Sequence, residues 1–258
     1  MPGVRGENGT EAALRWLETP RGRLLLRRQR EQLLDVLPHL YGYRLLQIGD
    51  WGLDRKLLES SATLCHWVLG RGGQADVLMD GESLPVCSRC LDAVILPHSL
   101  ELASSPHRLL REVDRVLCDH GHVVILGFNP YTPWWLWSRV ARRGRAGEMA
   151  RHRRCYALGR VRDWLDLLDF ELVRMTRFGV GFPYASATRV RDEGGSFWRQ
   201  LPAALSQSYL IVARKRVVPL TPVRPAWRRP GVAPLPGGVP EPTPRVGCAS
   251  VQPARRAA

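Results

Sequence analysis

Two residue pairs in this chain have the types and spacing for chemistry. His98 and Glu101 stand directly after the apolar run Leu91 to Pro97 (LDAVILP). A histidine at the carboxyl end of a buried strand is placed to act as a general base, and a carboxylate three residues on can orient its ring or meet the substrate. The competing reading is a half-buried histidine packed on the next helix. Cys87 and Cys90 form a Cys-x-x-Cys, but zinc needs a second pair and none is spaced for it, so no metal is expected.

A third feature is a segment rather than a pair. Residues 133–154 (PWWLWSRVARRGRAGEMARHRR) set Trp134, Trp135 and Trp137 ahead of seven Arg. Three readings fit that order. A helix could turn its Trp over a substrate pocket and its Arg to water. The Trp could anchor the chain at an anionic membrane surface, or stack on RNA bases while the Arg meet phosphates.

Positioning these groups requires a fold, and the sequence spells one out in alternating elements. Leu24 to Leu37 carries leucines at helical spacing and predicts an amphipathic helix that packs ahead of the sheet. Arg44 to Ile48, closed by Gly49, reads as a buried first strand, and Thr63 to Leu69 as the second. Ala75 to Met79 follows as the third after only Gly70 to Gln74, too short for a crossover helix. That crossover is therefore truncated, or the two strands form a hairpin.

Leu91 to Pro97 is the fourth strand. Pro106 to Leu117 is a helix with Ser105 as its N-cap, ended by Gly121, and Val123 to Gly127 is the fifth strand. A helix over Ala157 to Leu168, a sixth strand over Phe170 to Thr176 and a seventh over Tyr209 to Ala213 complete the series. The pattern predicts an α/β fold, a doubly wound and mostly parallel seven-stranded sheet with a truncated second crossover. The expected organisation is a helical extension over 1–42, the α/β domain over 43–214, and a Pro/Arg-rich disordered tail over 215–258.

Charge narrows the function. The formal net charge is +14, but the tail from Val217 carries +5 of it and Arg139 to Arg154 another +6, which leaves +3 for the rest. A polyanion partner would have to be read from those two segments, so nucleic acid is disfavoured for the domain itself. Six Cys without regular spacing, and a first stretch without an apolar core, point to a reduced cytoplasmic protein. No segment has the apolar length to span a bilayer, so any membrane contact is expected to be peripheral.

The most specific signal is the run Asp80 to Pro130. It contains Asp80-Gly81, Leu84-Pro85, a strand opened by Asp92, a helix closing in Arg115-Val116-Leu117, Gly121, and the strand Val123 to Leu126. In order and spacing it resembles the central half of class I methyltransferases that modify small molecules and lipid quinones. With TPRG, LLQIGDWG, GFNP and LIVARKR, the whole chain is similar to the YafS-type methyltransferase-like proteins of bacteria.

That resemblance implies a Rossmann-like methyltransferase fold, S-adenosylmethionine as cofactor, and a small, lipid-like methyl acceptor. It places the cofactor at Gly49, Asp50, Trp51 and Gly52 after the first strand, at Asp80 and Gly81, where adenine is contacted, and at Pro97. It also implies losses. Only Gly49 stands in register with the family's glycine pattern, Trp51 and Leu53 replace the others, Gln47 occupies a usually acidic position, and Leu69-Gly70 offers no carboxylate to a ribose. Trp51 would narrow the pocket or cap it by stacking. The alternatives are a non-catalytic scaffold of the same fold and an RNA-binding or RNA-modifying protein. Methyl transfer depends mainly on positioning, with His98 the candidate base and Glu101 beside it. Asn129-Pro130-Tyr131 reads as a turn.

Overall fold

Apolar residues occupy both faces of the central strands, as a sheet covered by helices on each side requires. The computed structural model describes residues 12, 14–49, 51, 58–70, 75–79, 83–140, 154–180 and 206–216, with Trp134, 138–140 and Val180 in backbone alone. All lie in the first of two contact units, Met1–Val218. The expected tail beyond Arg216, most of the arginine-rich segment, and Asp50, Gly52, Asp80 and Gly81 lie outside the described residues; Lys215, expected in the tail, closes the last strand instead.

Helix α1 spans Pro20–Leu34 and starts four residues ahead of expectation, because Thr19 caps it by accepting from the Gly22 N–H at 3.1 Å and Pro20 fills the first turn. Its buried stripe is Gly22, Leu25, Gln29 and Leu33, so one amide is carried among apolar residues. Strand β1 is Tyr41–Ile48, β2 Ala62–Gly70 and β3 Val77–Leu78. After β4, Leu91–Pro97, come the single turn α2, Ser99–Leu102, and helix α3, Pro106–Val116. Strand β5 is Leu117–Phe128, helix α4 Pro133–Val140, helix α5 Leu158–Asp166, β6 Phe170–Val180 and β7 Ser206–Lys215.

The sheet order is β3-β2-β1-β4-β5-β7-β6. Strands β1 to β5 run parallel, and β7 lies antiparallel to both β5 and β6. The chain leaves the centre in opposite directions from β1 and from β4, which makes their carboxyl ends the switch point of the sheet. On one face α1, Trp16, Trp51, Phe128 and Trp135 share a core; on the other, α3 and α5 pack against Leu46, Val94 and Ile211.

The truncated crossover is real, and the pair it joins is parallel rather than a hairpin. Only Leu69↔Val77 and Gly70↔Leu78 pair, so the chain steps back by about one residue pair before β3 begins. Asp76 supports the step: its Oδ2 accepts from the Val68 N–H at 2.9 Å.

Gly121 does not end α3. The helix stops at Val116 and the chain enters β5 at once, with Leu91↔Leu117 and then Ala93↔His122, a bulge of extra residues on β5. His120 in that bulge has φ 67.

The aspartate that opens β4 has a structural task. Asp92 Oδ2 accepts from the N–H groups of Tyr43 and Arg44 at 2.7 and 2.9 Å, below the point where β1 and β4 begin to pair. Its other oxygen accepts from the Cys118 thiol at 3.3 Å, which burial and that carboxylate push up to about 11. Asp92→Ala is therefore expected to lower stability by about 2 kcal/mol in urea denaturation, with Asp92→Asn closer to wild type.

Candidate cofactor and acceptor site

The turn after β1 is built by close packing. Gly49 has φ +101, which glycine adopts without strain, and its N–H donates to the Leu69 carbonyl at 2.7 Å. A Cβ at Gly49 would stand 2.6 Å from Ser99 Oγ, and that hydroxyl donates to the Ile48 carbonyl. The glycine thus lets the residue after His98 dock on the end of β1. Beside it, Gln47 is 2% exposed; its Nε2 donates to the Gly49 carbonyl at 3.1 Å while its buried Oε1 has no hydrogen-bond partner among the described residues.

Trp51 turns inward. It is 1% exposed and packs in the core with its ring 4.2 Å from His98 and 5.9 Å from Phe128, centroid to centroid. It is a wall of the core, not a cap with a free stacking face. Its Nε1–H donates to Gln29 Oε1 at 2.7 Å. Indole nitrogen is a donor only, so this bond fixes which end of the Gln29 amide faces it.

The rest of the network follows from that direction. Gln29 Nε2 lies 2.7 Å from His98 Nε2, and an amide nitrogen donates, so His98 Nε2 accepts. The ring proton then sits on Nδ1, 3.3 Å from Glu101 Oε1, which also accepts from the Phe128 N–H at 2.6 Å. His98 is neutral in this arrangement, held in the left-handed region at φ 58 and fully buried between Trp51 and Phe128.

These contacts correct the sequence reading of the base. The lone pair of His98 that would take a proton is engaged by Gln29, and Glu101 is turned to the Phe128 amide and the imidazole. The pair is brought together as expected, but as an internal brace. Pro97 ends β4 within the core, and the His98 N–H donates to the Leu126 carbonyl at 3.0 Å.

Trp135 is corrected too. It is 2% exposed and stacks on Phe128 at 5.7 Å with an interplanar angle of 18°, so it belongs to the core. Trp137 and Leu136 remain on the surface, 40% and 65% exposed. In the Cys-x-x-Cys turn, Cys90 Sγ donates to the Cys87 carbonyl at 2.9 Å. Asn129-Pro130-Tyr131 is a turn, closed by the Tyr131 N–H donating to Asn129 Oδ1 at 3.1 Å.

Beyond the end of β5 lies a cavity of about 340 Å³, lined by Asn129, Tyr131, Gly159, Arg177 and Tyr209 among others. Burial raises the Tyr209 phenol well above its ordinary value, and its hydroxyl donates to the Tyr156 carbonyl at 3.0 Å. The sequence reading missed Gln29, Ser99, Phe128 and Arg177. A signal for Gln29 was available, since it stands one helical turn from both Leu25 and Leu33 on the apolar stripe of α1.

Comparison with known proteins places this geometry. A family model described as a methyltransferase domain matches residues 48–125, from the end of β1 to near the end of β5. The uncharacterised protein YafS of Escherichia coli (strain K12) is 34% identical over 221 residues, 84% of this chain and 88% of that one. A SAM-dependent methyltransferase from Thermotoga maritima has a similar fold, with a TM-score of 0.54 at 11% identity over 84% of this chain and all of its own. Another, from Archaeoglobus fulgidus, gives 0.51 at 17% identity over 74% of this chain and 94% of its own.

The network predicts its own disruption. Gln29→Leu removes the acceptor of Trp51 and the donor to His98, and is expected to lower stability by about 2 to 4 kcal/mol. Trp51→Phe in the same background should recover part of that loss in a double-mutant cycle. Imidazole nitrogen shifts in NMR should report the neutral Nδ1–H form of His98 in the wild type.

Proposed function

The chain belongs to the family of methyltransferase-domain proteins that includes YafS of Escherichia coli, whose cofactor is S-adenosylmethionine, and from that membership we propose that it transfers the cofactor's methyl group to a small-molecule acceptor. The observation that carries the reading is the buried Oε1 of Gln47 at the switch point of the sheet, which has no donor among the described residues. An ordered fold leaves few buried acceptors without a donor unless something else supplies one. The cofactor's ammonium group is a triple donor. Gln47 Oε1 and the Gly49 carbonyl, which shares one bond with Gln47 Nε2, are two acceptors that suit it.

When bound, S-adenosylmethionine supplies a methyl group on a sulfonium, an electrophile that needs in-line approach more than acid or base help. The residues of this chain do the holding. Ser99 and Gly49 fix the backbone of the turn, and the Trp51–Gln29–His98 brace fixes its distance from β4 and β5. Asp80 and Gly81 remain the proposed adenine contacts, with Asp50 and Gly52 in the turn. No proton transfer is assigned to His98, whose two ring nitrogens are both engaged.

A lipid-like acceptor and peripheral contact with anionic membrane find their support in the exposed Leu136 and Trp137 on α4 and in the arginines that follow. Trp137→Ala should then reduce co-sedimentation with anionic liposomes; unchanged binding would remove the membrane from the proposal.

Cofactor use is tested by thermal shift with S-adenosylhomocysteine. Binding to the folded state adds about 2.7 kcal/mol at a hundredfold excess over Kd. Gln47→Met should leave folding intact and weaken the ligand roughly tenfold, the effect of one hydrogen bond to a charged group. Absence of any shift at millimolar ligand would overturn the enzymatic reading.

A further inference from the structure

We propose that the cavity at the end of β5 is the acceptor site, and that it selects a small molecule bearing a carboxylate or phosphate on a planar apolar body; this rests on the methyltransferase reading above. The position suits an acceptor. Asn129 and Tyr131 follow the carboxyl end of β5, Arg177 lies toward the end of β6, Ser206 opens β7, and Gly159 lies in the first turn of α5. Because β6 and β5 are both antiparallel to β7, these groups gather at the same edge of the sheet as Gly49 and His98. A volume of about 340 Å³ holds a compact organic molecule, not a polymer.

The floor and the opening are both set by glycine, for opposite reasons. At Gly127 a Cβ would lie 2.4 Å from the Tyr209 ring, so that glycine lets the phenol lie across β5. At Gly159 a Cβ would meet nothing within 4 Å, and Gly159 has none of the positive φ that demands glycine. Packing asks for no glycine there, and alanine would favour the helix. What the missing side chain leaves is room. The Tyr209 ring and the exposed Tyr131 give the space flat walls.

Charge decides the class of ligand. Among the described residues lining the cavity, Arg177 is the only charged one, and no described carboxylate pairs with it. Arg154 and Arg160 act on the neighbouring Tyr156 as further positive charges. Among the described residues, the carboxylate that acts on both Tyr156 and Tyr209 is Glu101, which is buried and held by the Phe128 amide and His98. A cation beside apolar and aromatic surface, with no counter-charge among the described residues of the wall, matches an anion carried on an apolar body.

Calorimetric titration of the full chain with phenyl phosphate and with phenol tests the proposal, with S-adenosylhomocysteine binding measured on the same samples. Phenyl phosphate should bind roughly tenfold more tightly than phenol. Arg177→Gln should erase that difference and leave phenol unchanged, Gly159→Leu should weaken both, and Arg214→Gln, at the other end of β7, should alter neither. Equal binding of the two probes, or a preference that survives Arg177→Gln, overturns the proposal while S-adenosylhomocysteine binding keeps the enzymatic reading. Arg177-dependent preference without any S-adenosylhomocysteine binding overturns the acceptor role and with it that reading, and leaves an anion site.

Discussion

One buried chain of hydrogen bonds holds the site side of this fold in place. It runs from the Trp51 indole to Gln29, from Gln29 to His98, and from His98 to Glu101, where the Phe128 amide joins it. Four separate pieces of chain meet there: helix α1, the turn after β1, the residue after β4, and the last residue of β5. The indole can only donate, so the direction of the hydrogen bonds along the chain is set from one end. A network satisfied in this way specifies one arrangement of its elements, since any other leaves a polar group buried without a partner.

The consequence reaches the turn after β1. In a turn rich in glycine the backbone is free to adapt to what it binds. Here one glycine remains in register, and its neighbour Trp51 is anchored by its side chain to a helix that precedes the sheet. The loss of flexible glycine is matched by a gain in fixation, with Ser99 locking the same turn from below. Among the described residues, the end of β1 presents two acceptors side by side, on Gln47 and Gly49.

Much of this was legible from the residues, and the boundary of legibility is physical. Strand β4 matched its expected range because both its ends carry hard signals, Asp92 at the start and Pro97 at the finish. The start of β5 was missed because Gly121 reads as a helix terminator, while in the fold it relieves crowding inside a bulge against the Cys118 carbonyl. The short link between β2 and β3 was visible, but its outcome was not. A parallel pairing of two residues needs almost no return path, a fact about register that composition does not record.

The site divides along the same line. His98 and Glu101 could be found together because they lie three apart on one element. Gln29, which decides what His98 can do, is 69 positions away, and only folding brings it near. A residue's type shows which reactions it is capable of, and its partners determine which remain open. An imidazole with a free nitrogen at a strand's carboxyl end is a base; the same imidazole accepting from an amide and donating to a carboxylate is a strut. Arg177 is the reverse case. It carries no motif and stands exposed on an edge strand, so nothing in the sequence separates it from the other arginines. Its meaning comes from the cavity, where it is the one charge among the described residues of the wall.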